Sequence, residues 1–251
     1  MKNLIVLLLL SCFSLVGIAK DLAQEKQDAF IAKLLNQQVK QQISIEKSVN
    51  AILKRYPTEV KDVINVALSL YPYEYKQIML GAMRAEPAIS CEVIDIMLAA
   101  NVAASEEIVK IAVSMEPAYA REIVQSAANH NHEDLTSIVR VAIEAEPFVS
   151  ETILKDTMLS YPDMVIEILA GAINALPDQV ITFVRNTFQL FPDEQEDVLS
   201  LAISSTKAMH DKEIVETAVS AGMDQNLAEE IAIQAGADKA IFANNEKIED
   251  K

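Results

Sequence analysis

Every proline in this chain falls on one beat. Pro57, Pro72, Pro87, Pro117, Pro147, Pro162, Pro177 and Pro192 are separated by 15 residues or by 30, so two beats, at Val102 and His132, are silent rather than displaced. A fixed internal period of this kind sets the architecture before any local reading does. With each proline counted as position zero, the units agree in their apolar positions. Position six runs from Val63 through Ile78, Ile108 and Ile138 to Val198, and position seven from Ile64 through Met79 and Val139 to Leu199. Position ten is mostly alanine, as at Ala67, Ala82, Ala112 and Ala142, and position eleven is apolar from Leu68 to Ile203. Offsets of three, four and one make a single stripe on a helix of 3.6 residues per turn and do not fit strand alternation.

Each unit therefore reads as one short amphipathic helix. Proline suits the first helical position, where its missing N–H would be unpaired anyway, and it pushes the preceding residue out of the α region, which ends the helix before it. One continuous rod is excluded on energy, because each interior proline costs ~3 kcal/mol. Alanine at position ten lets neighbouring helices approach closely. Gly81 and Gly171, both at position nine, fit the same close packing.

The N-terminal 19 residues stand apart. They carry Lys2 as their one charge and an apolar run from Leu4 to Leu10, and Gly17 and Ala19 supply small residues for cleavage after Ala19. That is the pattern of a secretory signal peptide. A lipid-attachment box at Leu9-Leu10-Ser11-Cys12 is the competing reading, and the apolar run from Phe13 to Ala19 argues against it, since a mature lipoprotein turns polar at once. No later segment reaches the ~20 uninterrupted apolar residues of a membrane span. The chain is thus expected in the periplasm or outside the cell.

The expected organisation is a signal peptide (1–19), an N-terminal helical cap (20–56), a proline-punctuated array (57–206), divergent C-terminal repeats acting as a cap (207–243) and a polar tail (244–251). After Pro192 the punctuation changes to Ala221-Gly222-Met223-Asp224 and Ala235-Gly236-Ala237-Asp238, where Gly closes one helix and Asp opens the next. The pattern resembles α-solenoids in kind: all-α, about twelve short antiparallel helices in 15-residue units, paired every 30 residues, with capping helices at both ends. Its pair period is shorter than the tetratricopeptide period of about 34, and the Trp and Gly-Tyr positions of that signature are missing.

Charge and chemistry narrow the function. The formal net charge is −16, and losing Lys2 with the leader makes it −17. That balance argues against nucleic acid, whose binding rests on Lys and Arg meeting phosphates, and it permits a protein partner with a basic surface. Cys12 leaves with the leader, so Cys91 has no intramolecular partner for a disulfide. No Gly-rich phosphate loop, nucleophile elbow or His-Glu-x-x-His is present, and no catalytic or cofactor-binding residue is assigned. The cluster His130-Asn131-His132-Glu133-Asp134 joins two of the three histidines to two acids at a turn. Imidazoles and carboxylates of this kind ligate zinc and other transition metals, whereas the plain reading is a polar turn standing where a proline would be. With alternate turns on the same side, Glu86, Glu116 and Glu146 line one edge, while Tyr71, Asn101, Asn131 and Tyr161 line the other. The expectation is an exported, non-enzymatic helical-repeat protein that serves as a scaffold or adaptor for another protein. The alternative is a periplasmic protein that binds a metal or small ligand at the His130/His132 turn.

Overall fold

The computed structural model describes residues 22–206, 208 and 210–242. The expected signal peptide, with Cys12, and the polar tail 244–251 lie outside the described residues. Among the described residues every regular element is helical, and none is a strand. Helix α1 covers 22–40. It is followed by α2 (Ile45–Arg55), α3 (Val60–Leu70), α4 (Tyr75–Ala85), α5 (Ser90–Ala99), α6 (Ser105–Met115), α7 (Ala120–His130) and α8 (Leu135–Ala145). Then come α9 (Ser150–Ser160), α10 (Val165–Ala175), α11 (Val180–Leu190), α12 (Gln195–Ser205), α13 (Asp211–Ser220) and α14 (Gln225–Gln234).

Proline opens a turn rather than the α-helix itself. Seven of the eight prolines are the first residue of a three-residue 3-10 helix, such as Pro72–Glu74 or Pro162–Met164, and the α-helix starts three residues after the proline. The residue before is extended away from the α region, as at Tyr71 (φ −135°, ψ 61°) and Glu86 (φ −154°, ψ 106°), which is what the proline ring demands. Its N–H still closes the previous helix, with Tyr71 donating to the Ala67 carbonyl at 2.8 Å, and its carbonyl accepts from Glu74 N at 3.0 Å. The 3-10 bond thus skips the one residue that has no N–H to give.

The two silent beats turn out to be different structures. His132–Asp134 is a 3-10 turn like the others, entered through Asn131 at φ −150° and ψ 101°. At Val102 the geometry changes: Asn101 takes φ +55° and α6 starts after Ala104. That left-handed residue matches Gln42, Gly222 and Gly236, which close α1, α13 and α14. Asn accepts this conformation more readily than most residues because its short polar side chain can hydrogen-bond to the local backbone.

The chain divides at Val102/Ala103 into two compact units. In the first, α2 packs on α4 and α3 on α5. In the second, each helix packs on its sequence neighbour and on the helix after that: α6, α8, α10, α12 and α14 form one layer, and α7, α9, α11 and α13 the other. Positions six, seven and ten are buried throughout, as at Ile138, Val139 and Ala142 in α8 and Ile168, Leu169 and Ala172 in α10. Position three joins them, because it lies three residues before position six on the same face: Val60, Leu135, Val165 and Val180 are all buried. Each fully buried aliphatic side chain contributes about 2 kcal/mol, so the stripe is the main source of stability. In α1 the buried residues are Ile31 and Leu35, while Phe30 is half exposed and meets the Tyr56 ring edge-on.

The even-numbered helices come especially close. A Cβ at Gly171 of α10 would stand 2.5 Å from the Thr136 carbonyl oxygen of α8, and one at Gly81 of α4 would run into the Glu46 carbonyl of α2. Among the described residues no single helix is long and apolar enough to cross a membrane. The α10–α11 pair reaches that length only together, across a 120° bend.

Candidate functional site: grooves between the odd-numbered helices

Where the even-numbered helices of the second unit close on one another, the odd-numbered helices leave space. A groove of about 670 Å³ runs between α11 and α13, with Ile181, Arg185, Phe188 and Gln189 on one wall and Glu213, Glu216 and Thr217 on the other. A neighbouring groove of about 380 Å³ lies between α9 and α11, lined by Glu151, Lys155, Asp156, Asn186 and Gln189. Gln189 belongs to both, so the two form adjoining parts of one surface. The first unit repeats the theme with a groove between α1 and α3 lined by Asp28, Ala32, Asn65 and Leu70.

The repeat itself produces these grooves. In α9 the groove-facing side chains are Glu151, Thr152, Lys155 and Asp156, at positions four, five, eight and nine, while α11 turns Asn186 and Gln189 toward α9 and Ile181, Arg185 and Phe188 toward α13. Polar bonds link the α9 side to α11 and the turn before it. Asn186 Nδ2 donates to Glu151 Oε2 at 3.0 Å, and Ser150 Oγ donates to Gln179 Oε1 at 3.2 Å. Beneath them Thr187, fully buried, donates to the Phe183 carbonyl at 2.8 Å and contacts Met158 Sδ at 3.7 Å. The chemistry on offer is amide and charged groups over an apolar base, open to solvent along its length.

His130 and His132 are both exposed. Asn131 organises the turn, its Oδ1 accepting from Glu133 N at 3.2 Å and its Nδ2 donating to Asp134 Oδ2 at 2.9 Å. The His132 ring packs edge-on against Tyr161, 5.5 Å between centroids. Tyr161 in turn donates to Asn129 Oδ1 at 2.9 Å, and burial pushes its phenol pKa up. Tyr71, the equivalent residue of the first unit, donates to Asn36 Oδ1 at 2.8 Å. Among the described residues no group of three or more His, Cys, Asp or Glu side chains converges to hold a metal ion. Cys91 is half-buried on α5 and takes part in no disulfide among the described residues.

One further polar feature was not legible in the sequence. Asp211, the first residue of α13, is 2 % exposed, and its Oδ1 has no hydrogen-bond partner among the described residues. Burial raises its pKa above the ordinary carboxylate value, with His210 beside it acting in the opposite direction. Nothing in the repeat pattern distinguishes this acid from the exposed first-turn acids elsewhere. No protein-family model matches the chain, and no match to a curated protein or a solved structure was found. The fold defines a class: over the described residues this is an all-helical protein of short, tandemly packed helices.

Proposed function

We propose that this chain is an exported, non-enzymatic α-solenoid that acts as a scaffold or adaptor, and that it holds an extended segment of a partner protein in the α9–α11–α13 grooves. The adjoining grooves at Gln189 carry this reading, because two open channels of about 670 and 380 Å³ side by side suit a polypeptide better than one compact ligand. Asn186 and Gln189 offer amide groups that pair with a peptide backbone. Glu151, Asp156, Glu213 and Glu216 outnumber Lys155 and Arg185 along the walls, which favours a segment carrying Lys or Arg. Export rests on the leader, and the chain from Lys20 onward is the form that meets the partner.

The test is affinity capture from the compartment the leader specifies, comparing the wild-type chain with an Asn186→Ala/Gln189→Arg/Glu216→Arg variant. A partner that cross-links to α9, α11 or α13 in the wild type and is lost from the variant supports the proposal. Retention of the same partner by both chains overturns the groove assignment. A metal or small molecule as the only bound species overturns the adaptor reading itself.

A further inference from the structure

The charge of this acidic protein is unevenly placed. Between residues 22 and 56, six cations (Lys26, Lys33, Lys40, Lys47, Lys54 and Arg55) face three acids (Glu25, Asp28 and Glu46). Between 157 and 238 the balance reverses, with three cations against fourteen carboxylates. The excess is also ordered in space. Lys26, Lys33 and Lys40 recur every seven residues, so they stand in one row along α1, about 10 Å apart. All three are exposed, as is Leu22 on the same line, and the row lies opposite the buried Ile31 and Leu35. At the other end of the sequence, α14 packs on α12 and α13 through Ala228 and Ala232. Its opposite face holds Glu230 between Leu227 and Ile233, two of the few large apolar side chains exposed on this protein. Asp224 and Asp238 are exposed at either end of that helix. No helix covers this face among the described residues.

We propose that the lysine row of α1 in one copy docks on the outer face of α14 in a second copy. The two faces complement one another in sign, each carries apolar residues at its margin, and they belong to the first and last of the described α-helices. Opposite charges arranged this way speed encounter and fix the register, while Leu22 and Phe30 of one copy and Leu227 and Ile233 of the other supply apolar area. The contact joins two different surfaces, so each copy keeps one face of each kind for a further copy, and association can pass beyond a dimer. It is independent of the groove reading.

Sedimentation velocity of the chain beginning at Lys20 tests this, at about 0.02 and 0.5 M salt, between which the screening length falls from about 20 to about 4 Å. The wild type is expected to form dimers and longer species with rising concentration at low salt, and to dissociate at high salt. Lys26→Glu/Lys33→Glu/Lys40→Glu on its own, and Asp224→Lys/Glu230→Lys/Asp238→Lys on its own, should each weaken association by about tenfold or more. An equimolar mixture of the two variants should restore it, because the reversed face of each meets the reversed face of the other; misfolded chains would show no such rescue. A wild type that stays monomeric at both salt concentrations overturns the proposal, as does association unchanged in either variant. Binding of the monomer to phosphatidylserine vesicles through the α1 lysines would assign that row to a membrane surface instead.

Discussion

The imidazole of His132 stands edge-on to the ring of Tyr161, with 5.5 Å between centroids and 82° between planes. His132 occupies a missing proline beat and Tyr161 precedes the proline of a later one, so the contact joins turns of the same kind two helices apart. Because Asn131 already holds the extended backbone that a following proline requires, His132→Pro should fold normally and fall within about 1 kcal/mol of wild type. Lost contact with Tyr161 offsets the gain from a stiffer unfolded chain. Val102→Pro should behave in the opposite way, since Asn101 at φ +55° cannot precede a proline without moving, and a loss of about 2 kcal/mol or more is expected. Thermal unfolding of both variants by circular dichroism makes the comparison; equal midpoints would mean that the two silent beats share one geometry.

Gly171→Ala separates helix propensity from helix spacing. On propensity alone, alanine stabilises a helix interior by about 1 kcal/mol. Here its Cβ would press on the Thr136 carbonyl of α8, a backbone atom that cannot rotate away. The variant should therefore be less stable than wild type by about 1–3 kcal/mol in urea denaturation. A stabilised variant would show that α8 and α10 separate freely.

Ile138 is fully buried in α8, whereas Asn174 lies on the exposed side of α10. Ile138→Asp places an unpaired carboxylate in the core and should cost several kcal/mol, enough to unfold the surrounding helices. Asn174→Ala should stay within about 0.5 kcal/mol of wild type. Hydrogen exchange across α7 to α10 reads both outcomes, with fast exchange expected in the first variant alone.

Asp211 makes stability depend on pH in a defined direction. Its pKa in the folded chain is raised by burial, so the folded state favours the protonated acid and loses stability as pH rises through the ordinary carboxylate range and up to the raised value. Asp211→Asn removes the charge while keeping the shape. At neutral pH it should raise stability by about 1 kcal/mol or more, and the gain should shrink toward zero once the pH falls below the ordinary carboxylate range. Denaturation curves at neutral and strongly acidic pH check the sign. A variant less stable than wild type at neutral pH would mean that the charge is welcome at the start of α13.

The helices, their approximate length and the face each one buries follow from the order of residues along the chain. Those properties depend on neighbours three, four and fifteen residues away, and local sterics at proline set the breaks. The sequence also made the close packing at Gly81 and Gly171 legible, since a glycine in a helix interior needs a reason. It did not distinguish the two silent beats. Asn131 and Asn101 are the same residue type before a missing proline, and only the surrounding packing selects extended backbone at one and left-handed backbone at the other. The residue types at His130 and His132 are plain in the sequence, whereas the local geometry depends on Asn131 bonding within the turn and on Tyr161 arriving from thirty residues on. The groove at Gln189 was invisible for a related reason. Its width depends on how far α9, α11 and α13 stand apart, and that spacing is fixed by side chains packed beneath the groove, on helices the period alone treats as equivalent.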